Sequence, residues 1–318
     1  MSTLYLDRRD MELKIRDGAL AIYRNGRQQK TLPLKMITRI VTRADTLLSS
    51  SLLAELATRG IGFTAISGRR GEKIAHLLGD PHGDASRRLA QYRAYNNDKH
   101  RLELARKTVS AKITNQLRLV HRLKSARPDQ RVSLTKSERA ITGIIDRLEE
   151  ADSLESLRGH EGAAASAGFD ALQAVLPPRL QFNGRNRRPP RDPVNAALSL
   201  SYTLAHSDAV LASHLAGLDP AIGMLHDPAW GRPSLAADMI EPLRPHIDEW
   251  VWTLFRDRVI DNDHFGQEGE ACLLKKNGRQ RFYGAWEERA PAMRRWLRQS
   301  AHALVSELQN RQSEQDKT

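Results

Sequence analysis

The apolar period of this chain changes once. Before Leu78 its clearest segments alternate apolar and polar residues; from Ala85 onward apolar residues recur every three to four positions. The change falls on Asp80-Pro81-His82-Gly83-Asp84, a run of turn formers and helix breakers. A period of two buries one face of a strand, and a period near 3.6 buries one stripe of a helix, so neither half suits the other's structure. The sequence predicts an α+β protein. A small β-rich domain is expected over residues 1–84, followed by a larger all-α domain over 85–318.

Turn chemistry refines the first part. Met11–Arg16 alternates and ends at Asp17-Gly18; Ala19–Arg24 ends at Asn25-Gly26. Both dipeptides favour the positive φ angles of a two-residue hairpin turn. Residues 31–34 and 37–41 read as further short strands, Ser49–Arg59 as a helix stopped by Gly60, and 61–67 and 73–78 as strands around a Gly68–Gly71 turn. A small sandwich or barrel-like domain with one helix is expected. It holds no acid–histidine constellation, which assigns it to assembly or DNA contact.

In the second part, 85–126 reads as one long helix, 133–150 as a second, and Ser153 begins a third. Asp192 suits an N-cap with Pro193 at the first helical position of a helix reaching about Ala216. Further helices are expected over 234–261, kinked by Pro242 and Pro245, with a last one after Gly284 and a frayed tail after Asn310.

Charge narrows the partner. The 318 residues carry a formal net charge of +12, which points to an anionic polymer, most commonly nucleic acid. The loop from Pro177 to Pro190 is the densest basic feature: Arg179, Arg185, Arg187, Arg188 and Arg191 come within 13 residues that contain no acid. Guanidinium groups on a proline-restricted loop suit phosphate clamping. Cys272 is the only cysteine, which excludes an intramolecular disulfide and a zinc–thiolate cluster and fits a reducing cytoplasm. No apolar run is long enough to span a membrane, and the first residues lack a secretory signal.

One stretch carries chemistry. Gly217–Arg244 places His226 after a turn-rich lead-in, Asp238 twelve residues later and Glu241 three after that. Ser234 is the expected N-cap of the helix bearing both acids, and residues at i and i+3 share a helical face. An imidazole with carboxylates is a ligand set for Mg²⁺ or Mn²⁺. A surface salt bridge is the plainer alternative. Upstream, Gly159, Gly162 and Ala163 surround Glu161, as in a close helix crossing or a ligand approach. Asn195 is either a hydrogen-bonding group of a site or a polar residue at a helix start.

These stretches resemble the CRISPR-associated protein 1 family, the integrase/endonuclease that adds spacers to CRISPR arrays. The resemblance runs through Leu157–Gly162, Arg187–Asn195, Gly217–His226 and Ser234–Arg244, and extends to Leu32-Pro33-Leu34 and Gly60-Ile61-Gly62. It implies a β domain before a helical domain, and a metal site of Glu161, His226 and Glu241 with Asp238 as a nearby second acid. If Asp238 only orients a ligand, Asp238→Asn is expected to be milder than loss of a ligand. Many members carry a Tyr–Phe pair where this chain has Gly168-Phe169, which bears on any auxiliary tyrosine.

The chemistry so implied is attack of a DNA 3′-hydroxyl on a phosphodiester of the CRISPR repeat, with Arg244 helping to balance phosphoryl charge. The partners implied are double-stranded DNA as spacer donor and repeat, a second copy of the chain, and a small companion subunit, CRISPR-associated protein 2. Two other readings share the sequence features: a structure-specific nuclease acting on branched DNA in repair, and a non-catalytic DNA-binding scaffold whose acids only pair with arginines.

Overall fold

The computed structural model describes residues 2–67, 73–80, 82–186 and 189–315. Two compact units are present, Met1–Gly83 with Trp286–Glu288, and Asp84–Ala285 with Arg289–Thr318.

The first unit is built from β1 (Ser2–Leu6), β2 (Met11–Arg16), β3 (Ala19–Arg24), β4 (Arg27–Pro33), β5 (Ile37–Thr42), β6 (Thr46–Leu48), α1 (Ser50–Thr58), β7 (Gly62–Ser67) and β8 (Lys73–Leu77). These form two four-stranded sheets, ordered β1-β5-β7-β8 and β4-β3-β2-β6. Both expected hairpins are present. Asp17 and Gly18 have φ of 51° and 71°, and Asn25 and Gly26 have 49° and 74°, so the β2–β3 and β3–β4 turns use the left-handed region at both central positions. Leu13, Leu20, Ile40, Leu52 and Leu56 are fully buried in one cluster fed by both sheets and α1. That shared core is a sandwich, and neither sheet closes into a barrel. β1 and β6 were not expected; each pairs in parallel with a strand distant in sequence, which no local turn announces. The expected Gly68–Gly71 turn and Pro81 lie outside the described residues.

The second unit contains α2 (Ser86–Tyr95), α3 (Asp98–Ala126), α4 (Arg131–Ile145), α5 (Leu154–Val175), α6 (Pro193–Leu215), α7 (Ser234–Ile240), α8 (Arg244–Arg256), β9 (Phe265–Glu268), β10 (Ala271–Leu274) and α9 (Lys276–Gln315). Helix α3 packs on α4, α5 and α8 and forms the spine of the unit. The expected single helix over 85–126 is two. The first ends at Tyr95 with Asn96 as its C-cap, and Asn97 caps the second, its side chain accepting from His100 N. The unit is also not purely helical: β9 and β10 form a hairpin through Gly269 at φ 60°, and α9 begins at Lys276, before Gly284. Asp192 caps α6 with Pro193 in its first turn, as expected. The expected helical run divides at Pro242 and Pro245 into α7 and α8. Pro242 lies in a 3₁₀ turn, Glu241–Leu243, and Pro245 in the first turn of α8, where a missing N–H costs no hydrogen bond. The tail stays helical to Gln315. Among the described residues, no helix is long and apolar enough to cross a membrane.

Candidate functional site

The loop between α6 and α7 is held by one carboxylate. Asp238 Oδ2 accepts from the backbone N–H of Met224 at 2.6 Å and of Leu225 at 2.9 Å, and Oδ1 accepts from His226 N at 3.1 Å. Oδ1 also lies 2.7 Å from His226 Nδ1. A carboxylate oxygen only accepts, so in this hydrogen bond Nδ1 is the donor and carries the proton. In the neutral ring the lone pair is then on Nε2.

The loop's carbonyls are held from the other side. Arg101 Nε on α3 donates to Met224 O at 3.0 Å, and Arg158 on α5 donates to Leu225 O. Both guanidiniums also bind Asp227, and these bonds hold its carboxyl below the usual carboxylate range. Gly223 is required by the same packing: a Cβ there would come within 2.8 Å of the Ser234 backbone and 2.7 Å of Asp238 Oδ2. Ser234 does not cap α7. Its hydroxyl donates to Asp227 O at 2.8 Å, so it closes the loop instead.

His226 lines a cavity of about 80 Å³ with Glu161, Glu241, Lys112, Arg244 and Gln116. Glu161 comes from α5, one turn before Ala165 on the same face; Glu241 comes from the 3₁₀ turn after α7. The Lys112 ammonium pairs with Glu161 Oε1 and, at 2.5 Å, with Glu241 Oε2. Arg244 Nε binds Glu241 Oε1 at 2.8 Å. Burial pushes the Glu241 carboxyl up, but Arg244 and Lys112 outweigh it and bring it down to about 2. Among the described residues, no three His, Cys, Asp or Glu side chains are arranged to hold a metal ion. An ammonium stands where a cation would join the two glutamates. Two carboxylates and an imidazole are nonetheless a donor set that fits Mg²⁺ or Mn²⁺.

The far wall is aromatic and charged. Tyr202 donates its hydroxyl to Asp248 Oδ1 and lies under two guanidiniums, Arg244 at 4.5 Å and Arg185 at 5.5 Å from the ring centre. Burial pushes the Tyr202 phenol well above its ordinary value and the Asp248 carboxyl up to about 6, against 3.8 for an ordinary Asp. A carboxyl raised in the native state keeps its proton there after the unfolded chain has lost it, so native stability falls as pH rises from about 4 to about 6. Asp248→Asn is expected to remove this fall, worth at most about 3 kcal/mol. Urea denaturation at both ends of that window measures it; parallel curves for the two proteins would contradict the assignment.

The sequence model described as "CRISPR associated protein Cas1" matches residues 4–288. The chain belongs to the Cas1 family. A curated relative, the CRISPR-associated endonuclease Cas1 1 of Thermodesulfovibrio yellowstonii, is 32% identical over 313 residues, covering 97% of this chain and 95% of its own. Two solved structures share the fold. A casposase bound to integration product superposes with a TM-score of 0.83 at 20% identity, covering 96% of this chain and 91% of its own. A Cas6-RT-Cas1–Cas2 complex gives 0.84 at 21% identity over 98% of this chain and 35% of its own.

In this Cas1-family chain the residues singled out from sequence separate into groups. Glu161, His226, Glu241 and Arg244 line one cavity, while Asp238 is spent on the His226 loop and the ring nitrogen. Asn195 is not a cavity group. It is fully buried at the start of α6, accepts from Arg185 Nη1 and Asn186 N, and donates to Gly184 O and Asp192 Oδ2. The basic loop is not uniformly open either. Arg179 binds Asp261, Arg191 pairs with Glu270 at 3.7 Å, and Arg185 turns inward to Asn195, Ser199 and the Tyr202 ring. Arg187 and Arg188 lie outside the described residues. Gly159 and Gly162 face open space, so no close helix crossing explains them.

Lys112, Gln116, Tyr202 and Asp248 were missed. A signal for the first two exists: Leu104, Val109, Ile113, Leu119 and Leu123 form the buried stripe of α3, and Lys112 and Gln116 sit on that stripe as its polar members.

Proposed function

We infer that this Cas1-family chain is a divalent-metal-dependent DNA integrase/endonuclease of CRISPR adaptation. In this reading it inserts new spacers into the CRISPR array by attack of a DNA 3′-hydroxyl on a repeat phosphodiester. The observation that carries it is the convergence of Glu161, Glu241 and His226 on one cavity, with the ring nitrogen of His226 fixed by Asp238. An imidazole whose other N–H is held by a carboxylate is oriented for ligation.

The residues that would hold the cation are Glu161, Glu241 and His226 through Nε2. Bound there, Mg²⁺ or Mn²⁺ supplies Lewis-acid polarisation of a phosphoryl oxygen. Asp238 keeps the ring in one tautomer. Arg244 balances charge on the phosphate beside Glu241, and its stacking on Tyr202 fixes the guanidinium plane. Arg179, Arg185, Arg187, Arg188 and Arg191 are proposed for the DNA backbone, with Arg185 contributing from inside the cavity.

The partners proposed are a second copy of the chain, joined largely through residues 1–84, and a Cas2-type companion subunit; a relative of this fold occurs in a Cas1–Cas2 complex. The second domain, 85–318, is proposed as the catalytic one. One observation favours the scaffold reading instead: both glutamates are already paired with Lys112 and Arg244.

A plasmid integration assay with a short donor duplex separates the readings. Strand transfer is expected with Mg²⁺ or Mn²⁺ and none with EDTA. DNA binding that ignores divalent ions, with no strand transfer under any condition, would establish the scaffold.

A further inference from the structure

Lys112 occupies a core position of α3 with its side chain 5% exposed. A buried ammonium is tolerated only where it is paired and hydrogen-bonded. Its partners are Glu161 Oε1 and Glu241 Oε2, and Arg244 holds the other Glu241 oxygen. Two negative and two positive side chains therefore balance. A dication arriving at the glutamates would meet three of their four oxygens already engaged, and it would add two charges beside two cations. One of the cations must leave. Arg244 is pinned by its stack on Tyr202. Lys112 hangs on a flexible four-carbon stem and is the one free to move.

The structure also holds a place for it to go. Gln116 stands one turn further along α3, four residues on, so the two side chains are neighbours on one face. Its Oε1 is buried with no hydrogen-bond partner among the described residues, although the residue is only 3% exposed and lines the same cavity. An orphaned buried acceptor is costly, so a state of the protein that satisfies it is favoured by that amount. Gly168 makes room for the carboxamide: a Cβ there would come within 2.5 Å of Gln116 Nε2. Lys112 Nζ is the nearby donor that a displaced state would release.

We propose that Lys112 is an internal counter-ion with two positions. Without a divalent cation it joins Glu161 to Glu241. When the cation binds, the ammonium moves onto Gln116 Oε1 and stays in the cavity, where its charge faces an incoming phosphodiester. The inference rests on Glu161, His226 and Glu241 being the ligands. Metal affinity then includes the displacement of Lys112, as it would for any binding-competent state that is only partly populated.

Calorimetric titration with Mn²⁺ tests this without reference to activity. Lys112→Met removes the competitor, and Mn²⁺ is expected to bind at least tenfold tighter than in the wild type. The metal-free protein is expected to melt lower, because Glu161 loses its partner, and Mn²⁺ is expected to restore the midpoint. Lys112→Arg keeps the charge but holds the carboxylates with a forked guanidinium, so binding is expected to weaken about tenfold. A purely through-space effect would leave that variant like the wild type. Gln116→Leu, which removes the landing acceptor, is expected to weaken binding several-fold. Unchanged affinity in Lys112→Met and Lys112→Arg, with His226→Ala still abolishing Mn²⁺ binding, overturns this inference alone. Should Lys112→Met fail to fold, wild-type affinity in Lys112→Arg overturns it equally. Wild-type Mn²⁺ binding by His226→Ala overturns the ligand assignment, and this inference with it.

Discussion

Replacing His226 by alanine is expected to abolish strand transfer while leaving the fold and most DNA affinity in place. The imidazole is the one candidate ligand that is not also tied to Lys112 or Arg244. Its Nδ1 is committed to Asp238, which leaves Nε2 for the cavity. Losing an orienting partner of a ligand typically costs ten- to a hundredfold in metal affinity or activity, so losing the ligand itself should cost at least about a hundredfold. Stability should change little, because the ring is partly exposed and the loop keeps its Asp238 and arginine bonds. Most DNA affinity should hold because the phosphate contacts proposed for Arg179, Arg187, Arg188 and Arg191 do not involve His226. The measurement is the integration assay paired with calorimetric Mn²⁺ titration and a filter-binding curve at two salt concentrations. Full strand transfer by His226→Ala would end the metal-site reading and promote the scaffold.

The residues that converge are spread over more than a hundred positions, and the sequence reports them unevenly. Hairpins β2–β3 and β3–β4 are written in Asp17-Gly18 and Asn25-Gly26, because a two-residue turn with positive φ leaves few choices of residue. The cap of α6 is equally local: Asp192 then Pro193. Parallel pairings such as β1 with β5 leave no local trace, since their partners are set by packing rather than by a turn. The candidate site follows the same division. His226, Asp238 and Glu241 lie within 16 residues of one another and were visible as a cluster; Glu161 needed the family resemblance. Lys112 escaped notice because a lysine within a basic helix reads as solvated surface. Only its place on the stripe shared with Val109 and Ile113 marks it as buried. Spacing put Asp238 and Glu241 on one face and left their roles interchangeable. Geometry separates them: Glu241 faces the cavity, while Asp238 faces the loop's backbone.

That separation adds a stability cost to what spacing leads one to expect of Asp238→Asn. An orienting acid should tolerate Asp238→Asn better than the site tolerates loss of a ligand. The bonds of Asp238 carry the added cost. Both of its oxygens accept, Oδ2 from Met224 N and Leu225 N, Oδ1 from His226 N and Nδ1. An asparagine has one oxygen. With its amide toward Met224 and Leu225, an NH₂ group confronts two N–H donors; with the amide toward His226, it confronts the backbone N–H and forces Nδ1 to become the acceptor, which puts the proton on Nε2. The first arrangement leaves buried donors unpaired, each costing about 1–3 kcal/mol, and the second also removes the lone pair from the cavity. Asp238→Asn is therefore expected to lose roughly 2–5 kcal/mol of stability and at least tenfold in both Mn²⁺ affinity and strand transfer. His226→Ala is the contrast, inactive but stable. Thermal melts and Mn²⁺ titrations of the two variants side by side decide the matter. An Asp238→Asn protein with the wild-type melting point and Mn²⁺ affinity would show that the His226 loop is held by Arg101 and Arg158 alone, and that the carboxylate is incidental to it.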